Sequence, residues 1–182
     1  MGQRSGPEQP GDEPGSWVLL CYRVPREPSA PRIAIWRKLK RLGVAQLGDG
    51  LVALPADART REQLEWAAQD VTEAGGEAGV WLARPATLVQ ERELAAAMAA
   101  ARATEYTAVA AQAAAAGEEG DAARAAALRW LRGEMRRVGR RDYFPPAVRE
   151  HARAAVESLA AAREPDRIPG SAVAPGGGGD RS

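Results

Sequence analysis

Apolar and polar positions alternate where the chain first becomes patterned. Val18, Leu20 and Tyr22 interleave with Leu19, Cys21 and Arg23 and stop at Pro25, as in an interior β-strand. Helical spacing follows. Ser29 and Pro31 supply helix-start chemistry, and Ile35, Trp36, Leu39 and Leu42 recur three and four apart up to Gly43, a natural C-terminal cap. Two short apolar runs, 44–47 and 51–54, flank Gly48-Asp49-Gly50, where Asp-Gly provides the positive φ values of a tight hairpin. Thr60 reads as the cap of a second helix with Gln63 in the capping-box position. Its stripe of Leu64, Ala67, Ala68 and Val71 runs to Gly75-Gly76, and a last strand over 79–84 precedes Pro85. The order β-α-β-β-α-β predicts a ferredoxin-like unit over residues 17–86, with an antiparallel four-stranded sheet and both helices on one face.

The period then changes. Residues 87–116 are Ala-rich and helical, 117–120 break the pattern, and Asp121 caps a helix whose Leu128, Leu131, Met135 and Val138 lie three and four apart. These two helices are expected to form an antiparallel hairpin. Gly139 ends the second, and Pro145-Pro146 starts a third with Val148, Ala152, Ala155, Val156 and Leu159 on its buried face. The fold class is therefore α+β: a ferredoxin-like sheet, then a C-terminal helical hairpin and a further helix over 87–163. Alanine favours the helix but buries little area, so this half should lean on the sheet or on a second subunit. Residues 1–16 and 164–182 are rich in Gly, Pro and Ser without apolar period, and read as disordered tails.

Composition narrows the function classes. At 182 residues the chain can bury one core without disulfides. No run of about 18 apolar residues and no secretory leader pattern is present, so a cytoplasmic protein without a membrane role is expected. Cys21 has no second thiol to pair with and reads as a buried structural residue. The single histidine, His151, sits among Arg149, Glu150 and Arg153 and reads as solvated. One Cys and one His at this spacing build no metal site, and Gly48-Asp49-Gly50 opens a strand rather than a phosphate-binding helix. Small ferredoxin-like nucleases close their first strand with a metal-binding aspartate, whereas this chain has Arg23-Val24-Pro25-Arg26 there. No catalytic residue, metal or cofactor is assigned, and a non-enzyme is expected.

Charge is the stronger signal. The formal net charge of +1 hides a division into thirds: residues 17–59 hold eight basic and three acidic residues, 60–120 hold four and ten, and 121–164 hold ten and six. Arg32, Arg37, Lys38, Lys40 and Arg41 fall on the first helix without an intervening acid, and Arg37, Lys40 and Arg41 share a face. That density suits a phosphate backbone, whose neutralisation releases counterions; the plainer alternative is a solvated helix face. A second cluster, Arg136, Arg137, Arg140 and Arg141, straddles the helix end at Gly139, where cations also complement the helix dipole. Arg102, Glu105 and Tyr106 are helical neighbours suited to a partly buried ion pair with a phenol. Tyr143 and Phe144, after Asp142, read as plugs of the core before the last helix. The five tryptophans fall near apolar stripes, so core or partner contact is expected of them rather than base stacking.

The run of residues 35–55, with the strand before it, resembles the N-terminal domain of ChrB-type chromate-resistance proteins. Arg102-Ala103-Thr104-Glu105-Tyr106 and Arg141-Asp142-Tyr143-Phe144-Pro145 are similar to further segments of that family. Ala101 stands where the family often has Asp, and a Gly-rich tail stands where a second domain often follows. The resemblance implies a chromate-responsive transcriptional regulator, probing duplex DNA with Arg32, Arg37, Lys38, Lys40 and Arg41 and acting as a homodimer. It further implies that Arg102, Arg136, Arg137, Arg140 and Arg141 are the candidates to hold chromate or another oxyanion, as a guanidinium fork holds phosphate. Glu105, Tyr106, Asp142, Tyr143 and Phe144 form the accompanying structural motif. The competing expectation is a non-catalytic interaction or oligomerisation module that partners a separately encoded domain. An RNA-binding ferredoxin-like domain is the third, weakened by the missing aromatics on the sheet.

Overall fold

The computed structural model describes residues 14–161, so the tails expected at 1–16 and 164–182 lie outside the described residues except for 14–16. Its elements are β1 (Trp17–Arg23), α1 (Ser29–Leu42), β2 (Ala45–Gly48), β3 (Leu51–Pro55), α2 (Ala58–Glu73), β4 (Glu77–Ala83), α3 (Leu88–Gly117), α4 (Asp121–Gly139) and α5 (Val148–Ala161). The strands form one sheet in the order β2-β3-β1-β4, each neighbouring pair antiparallel. This is the ferredoxin-like arrangement expected from the element order.

Period-two alternation sorts β1 between two layers. Val18 and Leu20, paired with Leu54 and Val52 of β3, are fully buried and share a core with Ile35 and Leu39 of α1 and Leu64, Ala67 and Val71 of α2. The opposite face is partly covered by the first half of α3. Leu94 and Met98 join the same core, and Trp17 stacks on Phe144 with ring centroids 5.9 Å apart. The second half of α3 enters a separate core. There Tyr106, Val109 and Ala113 meet Leu128, Leu131 and Val138 of α4 and Ala152, Val156 and Leu159 of α5. A helix of 30 residues, about 45 Å long, thus serves two cores, and the helical extension leans on the sheet through it.

Local chemistry sets the turns. Gly50 adopts φ 72°, and a Cβ there would lie 2.2 Å from the Tyr22 carbonyl oxygen, so the hairpin needs glycine for both conformation and space. The cap of α2 lies one turn earlier than expected from Thr60 and Gln63. Asp57 accepts from the Thr60 amide at 2.6 Å, while the Thr60 hydroxyl accepts from the Asp57 amide at 2.9 Å. That hydroxyl also reaches the Pro55 carbonyl at 2.6 Å, which ties the box to the end of β3. Asp121 is the first residue of α4 rather than its cap, which falls at Gly120.

The burial expected of Cys21 is corrected, and of the core or partner contact expected of the tryptophans the core half falls away for three of them. Cys21 is exposed, because α3 covers Trp17 and half-covers Leu19 but stops short of the end of β1. Trp66, Trp81 and Trp130 are 53%, 64% and 49% exposed, respectively. Trp66 and Trp130 lie two positions beyond Leu64 and Leu128, about 200° around their helices from those buried residues, and Trp81 pairs with Leu19 on the sheet face that α3 leaves partly open.

Candidate functional site

The polar features gather around the C-terminal end of α1. Gly43, in the left-handed conformation at φ 75°, ends the helix with its amide on the Lys40 carbonyl. The outward side of α1 carries Arg37, Lys40 and Arg41, all exposed, with Arg32 exposed in the first turn. Among the described residues none of these four is paired with a carboxylate; Lys40 instead lies over the Trp36 ring, 4.6 Å from its centroid. Lys38 departs from the set. It points to α2 and bonds Asp70 at 2.5 Å, which spends its charge within the fold.

Against Gly43 sits an ionic joint between the two cores. Glu105 of α3 accepts from Arg102 at 2.8 Å through one carboxylate oxygen and from Arg141 at 2.6 Å through the other. Arg102 also lies 3.5 Å from the Arg141 carbonyl oxygen. The side chains of Arg102 and Arg141 are only 11% and 18% exposed. Nε of each has no partner, so each guanidinium keeps one unused buried donor. A Cβ at residue 43 would come within 2.7 Å of Cβ of Arg141 and 2.8 Å of the Arg102 guanidinium, so only glycine lets α1 end against this joint.

One turn along α3, the Tyr106 hydroxyl donates to Asp142 at 2.9 Å. The Asp142 side chain is fully buried and has Arg149 3.6 Å away. Burial first, then the Asp142 hydrogen bond, pushes the Tyr106 phenol up to about 12. Tyr143 donates to the Leu42 carbonyl at 3.1 Å, and burial raises its phenol too. Arg59 stands 5.7 Å from the Tyr143 ring centroid and donates to the Arg140 carbonyl at 3.3 Å. The segment Arg141, Asp142, Tyr143, Phe144 therefore locks α1, α2 and α3 to one another.

The remaining oxyanion candidates are separated from this joint. Arg137 pairs with Glu134 on its own helix. Arg136 and Arg140 line a cleft of about 730 Å³ between α4 and α5, together with Arg132, Arg149 and Arg153. Arg59, Arg149, Arg132 and Arg153 were not singled out by sequence. The four-residue repeats Arg132, Arg136, Arg140 and Arg149, Arg153 are a readable signal of shared helix faces. Nothing local in the sequence places Arg59 over Tyr143. Among the described residues no group of three or more His, Cys, Asp or Glu could hold a metal ion, and no helix is long and apolar enough to cross a membrane.

A ferredoxin-like sheet joined to a three-helix bundle by a buried arginine–carboxylate joint, with a cationic outer helix, defines the class as a two-core α+β domain. The family described as "Protein ChrB, N-terminal" matches residues 32–165, and the chain belongs to that family, which places it among chromate-resistance-related proteins. The match takes in α1 from Arg32 onward, the joint and the α4–α5 cleft; β1 precedes it. No curated protein and no solved structure matches the chain.

Proposed function

We propose that this protein is a regulator of chromate resistance that binds duplex DNA through α1 and responds to a tetrahedral oxyanion such as chromate. The observation that carries the reading is the outward face of α1. Arg37, Lys40 and Arg41, with Arg32 near the start, are exposed and unpaired with any acid, whereas Lys38 is held by Asp70. An exposed helix of this kind fits the width of a major groove, and its cations neutralise phosphates. The test is fluorescence anisotropy on DNA from upstream of the gene over a salt series. Replacing Arg37, Lys40 and Arg41 together by Ala is expected to lower the logarithmic salt slope by up to about 2.7, about 0.9 per lost phosphate contact. An unchanged slope would remove α1 from the interface.

The same reading gives the joint a part in the response. Two guanidiniums converge on Glu105, so an entering oxyanion competes with that carboxylate for both forks. The exchange shifts the population of DNA-competent molecules only in so far as the two states differ in anion affinity. Glu105→Gln leaves both arginines without their counter-charge, and about tenfold tighter chromate binding by calorimetry is expected. Equal affinity in the variant would move the site elsewhere.

A second reading has its own observation. β4 is an edge strand, and it exposes Trp81 and Leu82 on its two faces by 64% and 63%. Unpaired edges with apolar side chains pair with other strands, so a homodimer through β4 accommodates both the regulator and the interaction-module reading. Leu82→Lys is expected to convert a sedimenting dimer into a monomer; a wild-type monomer at micromolar concentration would end this reading.

A further inference from the structure

The α4–α5 cleft differs from the joint in charge, size and shape. Arg132 and Arg136 on α4 and Arg140 at its C-terminal cap stand four residues apart, a row about 12 Å long in steps of about 6 Å. Arg149 and Arg153 face them from α5, and the only acid lining the cleft is Glu157. Both arginines of α5 have carboxylate partners: Arg149 has Asp142 at 3.6 Å, and Arg153 has Glu150 at 2.8 Å and Glu157 at 3.8 Å. Among the described residues Arg132, Arg136 and Arg140 have none. The nearby Glu134 is paired with Arg137 instead. Like charges four apart repel, while the dipole at the C-terminal end of α4 favours Arg136 and Arg140, so the row is tolerated there and its charge stays available to an anion.

The geometry points to a second anion site, in the α4–α5 cleft, for a small ligand bearing three or more linked phosphates, such as inorganic tripolyphosphate or the triphosphate of a nucleotide. Charge count and reach carry the inference. A single tetrahedral dianion neutralises two cations at one place and leaves the rest of a 12 Å row unmet, whereas linked phosphates distribute charge along it. Guanidinium forks bind phosphate oxygens in pairs, which gives each step of the row a partner of matching geometry. A volume of about 730 Å³ lies in the range of small-molecule pockets, and the cleft is open enough for a phosphate chain to lie along the row. Met135 and Val156 add apolar wall at the same cleft, which a nucleoside can use and an inorganic anion does not need.

This site is independent of the α1 reading and of the Glu105 joint, and the experiment separates all three. Calorimetry on the full chain at fixed ionic strength compares tripolyphosphate, pyrophosphate, orthophosphate and sulfate. Tripolyphosphate is expected to bind about 100-fold more tightly than sulfate, and the triple change Arg132→Gln, Arg136→Gln, Arg140→Gln is expected to abolish that advantage. Gln has nearly the helix propensity of Arg, and the single change Arg136→Gln, expected to cost about tenfold, covers the case in which the triple variant folds poorly. Glu105→Gln should leave tripolyphosphate binding unchanged, and Arg37→Ala with Lys40→Ala and Arg41→Ala should do the same. Equal affinity for sulfate and tripolyphosphate, or full binding by a folded triple variant, would overturn the site. Duplex DNA that displaces tripolyphosphate from the wild type and is itself lost in the triple variant would overturn the small-ligand assignment and make the cleft part of a DNA surface.

Discussion

Tyr106 shows how one hydroxyl can hold a buried charge. Its hydrogen bond to Asp142 is the closest contact of a carboxylate with no exposure, and the other charge nearby, Arg149, is 3.6 Å away. Tyr106→Phe is expected to cost about 1.5–3 kcal/mol, the range for hydrogen bonds to charged groups, read as a lower urea midpoint at pH 8. The phenol also makes stability depend on pH. Its folded value of about 12 lies above the ordinary 10.0, so its contribution is complete below about pH 10 and is lost as pH rises from 10 through 12. Wild-type protein should therefore lose stability across that window, and Tyr106→Phe should flatten the loss in a urea series run to pH 11. Tyr22 and Tyr143 are raised as well and leave a residual slope in the variant. Gly50→Ala tests the hairpin: the left-handed backbone and the Tyr22 carbonyl together predict a loss of about 2 kcal/mol or more.

At the scale of elements, the α2 cap gives a clean measurement. The Thr60 amide, first, holds the Asp57 carboxyl below its ordinary value, so its stabilisation is present at neutral pH and lost as pH falls through the folded value. Asp57→Ala is expected to cost about 1 kcal/mol at pH 7, and Asp57→Asn much less, by thermal denaturation. Sequence made the elements legible because each carried its own period and its own punctuation, from Pro25 and Gly43 to Gly75-Gly76 and Pro145. It misplaced this cap because Asp57 and Thr60 are both good cap residues, and the choice between them rests on the reach of the Thr60 hydroxyl to Pro55 across the end of β3. Cys21 was misread for a similar reason: alternation assigns a face to each strand residue, but which part of a face is covered depends on where α3 crosses. Of the site, the spacing of Arg102, Glu105 and Tyr106 could be read directly. That Arg141 shares the Glu105 carboxylate, 36 residues away, could not, since it depends on how α4 returns the chain along α3.

For the whole molecule, the joint decides whether the two cores act as one. Removing Glu105 leaves two largely buried guanidiniums without their counter-charge, and Glu105→Ala is expected to cost about 2–4 kcal/mol, discounted for the partial exposure of the pair. The loss should be uneven. Hydrogen exchange should show α4 and α5 losing protection ahead of β1 and β3, because α4 and α5 reach the rest of the fold through α3 and the joint, whereas β1 and β3 keep α1 and α2 on their other face. Uniform loss of protection would mean that the cores are coupled through α3 itself rather than through the ions.

The length of α3 has a mechanical side. Arg102 is the fifteenth of its 30 residues, so the ionic joint stands at the middle of an unbroken rod with about 22 Å of helix on either side. Because each half is packed in its own core, a tilt of about 10° about that fulcrum would carry each end, and the core layer on it, through about 4 Å in opposite directions. Exchange of a single carboxylate at the fulcrum would thereby be written as displacement at both the open sheet face and the far end of the bundle, places that share no side chain with it.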